Sequence, residues 1–200
     1  GLSIAASESR EIKIHFKAYT PPYVFGSGKG IVVDFVSEIM ESQGYTVKPV
    51  FLPIERSFKM FAEGNIDAIA IIAKSSGLPH AFYSNAFIAY HNFAIILKSK
   101  ESRPEITRLE DLGRFDVIGF QYARRYLGKE FGRIVSDNSR YREIANQETQ
   151  VLMLLKGRTD VVVMDKAIFT YYMNKLIRSN RVDADMAVEF VDLFDPSPYR

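Results

Sequence analysis

The order of apolar and polar positions along the chain spells one α/β phrase twice. Around residues 55 to 73 an amphipathic helix ends in Gly64-Asn65-Ile66-Asp67 and runs into the apolar stretch Ala68-Ile69-Ala70-Ile71-Ile72-Ala73. Around residues 147 to 165 a second helix ends in Gly157-Arg158-Thr159-Asp160 and runs into Val161-Val162-Val163-Met164. Each glycine stands where a helix C-terminus favours a left-handed backbone. Each apolar run is short and continuous, like strands buried on both faces of a parallel sheet. Two such units half a chain apart predict two similar lobes, and the cleft of a two-lobed protein is where a ligand is expected.

The remaining pattern fills in around these units. Glu11 to Lys17 alternates Ile12, Ile14 and Phe16 with polar residues and predicts a half-buried strand. A loop dense in aromatics, prolines and glycines follows, from Ala18 to Gly30. Ile31, Val32, Phe35, Val36, Ile39 and Met40 then form one stripe, which predicts a core-facing helix over 31–42 that stops at Gly44. Tyr45 to Leu52 reads as a strand, broken by Pro53 before a helix over 55–63. Phe87 to Leu97 reads as one long strand able to pass between lobes, and Lys98 to Pro104 as a linker. Beyond it the pattern predicts a short helix at 109–112, a strand over 115–120, a helix over 124–133, a helix over 166–177 and a strand over 188–194. The expected organisation is lobe one over 8–92, lobe two over 93–190, and a return towards lobe one over 191–200. No closing helix follows, so the natural protein is expected to continue past Arg200.

Composition narrows the function classes. With 47% hydrophobic and 25% charged residues the chain can bury a core. A net charge of +2, with its lysines and arginines scattered, gives no basic stripe for nucleic acid. The absence of cysteine removes disulfides, thiolate metal sites and a cysteine nucleophile. The three histidines have no paired-ligand spacing, no serine lies in Gly-x-Ser-x-Gly, and Gly26-Ser27-Gly28-Lys29-Gly30 lacks the Ser or Thr of a phosphate loop and reads as a hairpin-like turn. No cofactor or metal is expected. Gly1 to Ser7 reads either as the tail of a secretory leader with its small-residue cleavage site or as a loose start to the chain.

Three phrases resemble the family 3 extracellular solute-binding proteins, the polar amino-acid type of periplasmic binding protein. They are Gly30-Ile31-Val32-Val33-Asp34-Phe35 after Pro22-Tyr23, Leu109-Glu110-Asp111-Leu112 with Val117-Ile118-Gly119-Phe120-Gln121, and Leu155-Lys156-Gly157-Arg158-Thr159-Asp160 through Asp165. In this order they cover almost the whole chain. The resemblance implies a two-lobed α/β fold of the type II periplasmic-binding class, with two hinge strands crossing between the lobes. It also implies export, no catalysis, a monomer, and a small-molecule ligand passed to an ABC transporter permease or read by a membrane sensor.

The resemblance further places ligand contacts at Ile72 and Ser75, in and after the first repeated strand, and an aromatic stack in the first loop, with Tyr19 and Tyr23 as candidates beside Phe25. The arginine that grips an α-carboxylate in the family falls on Gly77, and the family's early acidic contact falls near Lys17. Arg56, at a helix start beside the strand ends, is positioned to replace that arginine, or else to pair with Glu55 or Glu63. In Gln121-Tyr122-Ala123-Arg124-Arg125, free N–H groups at a helix start together with Arg124 suit an anion, and Tyr122 suits an apolar part. Asp165 matches the family aspartate that receives an amino group, and it is equally a helix N-cap. The expected ligand is anionic or zwitterionic. Two alternatives stand beside transport: the sensing domain of a membrane receptor, and a dehydratase-like enzyme whose general acid would have to come from Asp165 or Glu148.

Overall fold

A computed structural model of the chain describes residues 10–17, 19–98 and 103–200. The leader-like Gly1 to Ser7 and most of the linker-like Lys98 to Pro104 lie outside the described residues. The chain divides into two units, one reaching to Ala89 and resuming at Pro198–Arg200, the other spanning Tyr90–Ser197. Residues 90–92 and 191–197, expected with lobe one and with the return, therefore group with the second unit.

In lobe one, β1 (Arg10–Lys17) lies between β2 (Tyr45–Leu52) and β3 (Ala68–Ile69), all parallel, with α1 (Ile31–Ser42) and α2 (Ile54–Ala62) as the connections. Two expectations are corrected here. The apolar stripe of α1 does not face the core as one body: Val32 and Val33 are buried, while Ile31, Phe35 and Ile39 are exposed. The six-residue strand expected after Asp67 shrinks to Ala68–Ile69, because Ile71 turns into the left-handed region at φ 62° and Ile72 exchanges both backbone bonds with Arg200.

The single strand expected over 87–97 is two, β4 (Ile88–Tyr90) and β5 (Asn92–Leu97). His91 interrupts them because its N–H donates to the Asp165 carboxylate and its carbonyl accepts from the Lys166 N–H. A short strand near the C-terminus, residues 197–199, pairs with β4.

Lobe two holds a five-stranded sheet. β6 (Val117–Phe120) is flanked in parallel by β7 (Tyr141–Ile144) and β8 (Val161–Asp165); β5 runs antiparallel to β8, and β9 (Val188–Val191) closes the edge. Its helices are α3 (Ala123–Tyr126), α4 (Lys129–Ser136), α5 (Gln147–Leu155) and α6 (Lys166–Arg178). The helix expected over 124–133 is thus two, parted at Leu127-Gly128, where Gly128 takes φ 95°. Phe131, Tyr141 and Phe194 meet edge to face in a core with Leu112, Val117 and Val161.

The repeated phrase does the same job in both lobes. Gly64 and Gly157 end their helices at φ 72° and 67°. The N–H groups of Asn65 and Arg158 reach back to the Met60 and Met153 carbonyls at 2.8 and 2.9 Å, and those of Gly64 and Gly157 to Phe61 and Leu154 at 3.0 and 2.8 Å, the two hydrogen bonds of a Schellman cap. Each aspartate then brackets one residue of the neighbouring parallel strand or the residue just before it. Asp67 accepts from the Lys13 N–H at 2.7 Å and donates its own N–H to the Lys13 carbonyl at 2.9 Å. Asp160 accepts from the Asp116 N–H and donates to the Asp116 carbonyl, both at 3.1 Å. The strand orders β2-β1-β3 and β7-β6-β8 match accordingly.

Candidate functional site

Parallel α/β sheets present functional groups in the segments that follow their strand C-termini. In lobe one Lys17 ends β1 beside Leu52, the last residue of β2. Pro53 then opens α2, which carries Arg56 in its first turn, so Lys17 and Arg56 follow the C-terminal ends of neighbouring parallel strands. Both side chains are exposed, and neither has an ion-pair partner among the described residues. Glu63, the partner considered for Arg56, is engaged by Lys59 at 3.8 Å and by Asn65 at 3.1 Å. Lys17 keeps its access to water, yet the protein packed around its ammonium desolvates it enough to lower its pKa.

The other lobe-one candidates differ in what they can offer. Tyr19 is half exposed, its ring edge-on to Phe25 at 6.5 Å, an open aromatic surface. Tyr23 is pinned by its backbone, the N–H donating to Thr20 and the carbonyl accepting from Val32 in the first turn of α1. Ile72 is buried, and its N–H and carbonyl are both bound to Arg200. Ser75 is exposed in the short 3-10 turn Lys74–Ser76, which ends at Gly77 with φ 59°.

In lobe two, Gln121 follows β6 and is exposed, and Tyr122 bends into the left-handed region at φ 67° before α3. The free N–H groups expected at this turn are not free. The N–H groups of Tyr122 and Arg124 each donate at 2.8 Å to one oxygen of Glu143 on β7, and the Tyr141 hydroxyl adds a third bond at 2.9 Å. Burial, reinforced by the Glu143 carboxylate, pushes the Tyr141 phenol well above its ordinary pKa and keeps it a donor. Gly119 is a glycine for this reason: a Cβ there would stand 2.6 Å from the Tyr141 hydroxyl. Arg124 lies over the Tyr141 ring at 5.2 Å, and a shallow open depression is lined by Tyr122, Arg124, Arg125 and Glu143.

Asp165 is buried and acts as the N-cap of α6. One carboxylate oxygen accepts from the Ala167 and Ile168 N–H groups at 2.9 and 3.1 Å, the other from His91 at 2.9 Å. Glu148 is held by Lys175 and Arg181 at 2.5 and 2.9 Å. The Leu109-Glu110-Asp111-Leu112 motif is structural: Asp111 accepts from the Thr107 and Arg108 N–H groups and from Arg114, which lowers its pKa, the Thr107 bond first. Glu143 was not foreseen. Only the Tyr141-x-Glu143 alternation hinted that the two share a face, and the turn they serve is 19 to 21 residues away.

No protein-family model and no curated protein matches the chain. Solved structures do. An ancestral arginine-binding protein bound to arginine is similar at 20% identity and TM-score 0.65, over 94% of this chain and 82% of that one. The GluR0 ligand-binding core in complex with L-glutamate is similar at 19% identity and TM-score 0.67, over 94% and 81%. A histidine kinase sensor domain with similarity to periplasmic binding proteins is similar at 18% identity and TM-score 0.68, over 96% and 81%. The chain has the type II, two-lobed fold of the periplasmic binding proteins.

Proposed function

We propose that the protein is an extracytoplasmic solute-binding protein, monomeric and without catalytic activity, that captures a small anionic or zwitterionic solute and delivers it to an ABC-type transporter. The observation that carries this reading is the pair Lys17 and Arg56, two cations without partners among the described residues at the strand ends of a fold that bound arginine and L-glutamate in its solved neighbours. Tyr19 would supply apolar contact from the same lobe, and Gln121, Tyr122 and the Arg124 side chain the polar and aromatic contacts of lobe two. Tyr23 and Ser75 contribute at the loop margins. Function then lies in a closing equilibrium, shifted only by a solute's differential affinity for the two states.

The likeness to a sensor domain carries a second reading on the same site, in which binding is reported to a membrane protein instead of a permease. The first test is thermal unfolding against amino acids, small carboxylates, polyamines and sugars. A solute that binds the native state raises the midpoint by mass action. Recovery of that solute unchanged after prolonged incubation separates binding from turnover. Co-purification of the full-length product with a permease, as against a signalling module, decides between transport and sensing.

A further inference from the structure

Resting on that reading, we infer that the solute is an organic di- or polyanion without an ammonium group, held through Lys17 and Arg56, and not an α-amino acid. The argument is a census of charge in the segments that follow the six parallel strands β1, β2, β3, β6, β7 and β8. The cations there are Lys17, Lys29, Arg56 and Lys74 in lobe one and Arg124, Arg125 and Lys166 in lobe two, all exposed and none ion-paired among the described residues. The carboxylates tell the opposite story.

Glu143 is saturated by two backbone N–H groups and a phenol, and Glu148 by a lysine and an arginine. Asp165, at the position expected to receive an amino group, spends both oxygens on three backbone N–H groups that join α6 to the β4–β5 break. Withdrawing it would leave those donors unsatisfied. Asp34, in the first turn of α1, and Glu55, next to Arg56, are the carboxylates exposed without an ion pair in these segments among the described residues. On lobe one an ammonium would thus meet the two carboxylates Asp34 and Glu55 against the four cations Lys17, Lys29, Arg56 and Lys74, and would have to compete with Arg56 for Glu55. Lys17 adds a second obstacle, since a like charge at the β1 end repels an ammonium and attracts a carboxylate or phosphate.

The experiment titrates the whole chain with matched pairs, glutarate against L-glutamate and succinate against L-aspartate, with L-arginine and inorganic phosphate added, read by thermal midpoint and calorimetry. The expected result is that a dicarboxylate binds at least tenfold more tightly than any amino acid and more tightly than inorganic phosphate. Lys17→Met and Arg56→Gln should each weaken that binding tenfold or more while leaving the circular dichroism of the free protein unchanged. Tighter binding of an amino acid than of its ammonium-free analogue overturns the inference and leaves the solute-binding reading standing. Anion binding that neither variant weakens overturns it as well. Silence from every probe, amino acids included, overturns both together.

Discussion

In lobe two the carboxylates at the strand ends are bound by the protein itself, whereas in lobe one the cations at the strand ends have no ion-pair partner among the described residues. Both lobes use the helix-glycine-strand-aspartate unit, with the same strand order and the same aspartate bracket. The difference lies in what surrounds it. Lobe two embeds β8 between β6 and β5 in a five-stranded sheet, all five residues of β8 buried. The parallel sheet of lobe one has three strands among the described residues, with β3 cut to two residues, and Ile31, Phe35 and Ile39 of α1 are exposed. A densely packed lobe can hold a carboxylate in one fixed geometry, as at Glu143. A thinner lobe leaves its charged groups in water, available to something that arrives.

The sharpest way to break that contrast is in the cores. Phe131 is fully buried against Tyr141 and Phe194, so Phe131→Ala is expected to cost about 3–5 kcal/mol. Phe16 is equally buried, but its ring partner Phe51 is only half-buried, 6.3 Å away, and the layer around it can relax. Phe16→Ala should fall at the low end of the same range. Hydrogen exchange reads each lobe separately, and equal costs would remove the claimed difference in packing.

The aspartate brackets give a finer comparison, because the same contact is exposed in one lobe and partly buried in the other. Asp160→Ala strips the acceptor from the partly buried Asp116 N–H and is expected to cost about 1–3 kcal/mol. Asp67→Ala leaves the exposed Lys13 N–H to water and should cost about 0.5–1 kcal/mol. Urea unfolding of the two variants checks the order. A reversal would mean that burial does not set the worth of the bracket.

How much of this was legible follows from the range of the forces involved. The two glycine-aspartate phrases were readable because a helix cap and a short apolar strand are local, and the fold class followed from their repetition. Ile71 and Ile72 were misread as strand because their partner, Arg200, lies at the far end of the chain. The α1 stripe was misread because six apolar residues on one stripe describe an amphipathic helix without saying which of them a three-stranded sheet can cover. At the candidate site, Arg56 could be read from the strand end before Pro53, whereas Lys17 stood out only as the position where the resemblance expects an acidic contact. The loss of the Tyr122 and Arg124 N–H groups to Glu143 could not be read, since it depends on β6 and β7 pairing in the register Gly119 to Glu143.

His15 extends the comparison to pH. It is wholly buried in lobe one, with Nε2 at 2.8 Å from the Leu52 carbonyl and Nδ1 without a partner among the described residues. Burial lowers its pKa from 6.5 more than that carbonyl raises it. The unfolded chain therefore takes the proton first. The stability that neutral His15 contributes is complete above pH 6.5 and is lost as pH falls through 6.5 towards the lowered folded value. Lobe one should soften as pH falls through 6.5, and His15→Gln should lose that extra acid sensitivity. An unchanged pH slope in the variant would assign the softening to another group.

A single hydroxyl tests the most specific difference between the lobes. Tyr141→Phe removes one of three donors to Glu143 and leaves the ring in place for Phe131 and Arg124. The two backbone donors remain, so the loss in stability should be about 1 kcal/mol, the net worth of a single hydrogen bond. The informative partner is Glu143→Gln, which keeps the size but lets the amide accept at only one atom. If Glu143 is a fixed structural carboxylate, Glu143→Gln should exceed Tyr141→Phe in cost, and the double variant should cost less than their sum because the two share one contact. Strict additivity would mean that the hydroxyl and the carboxylate act independently. Lobe two would then lack the internally satisfied turn that sets it apart from lobe one.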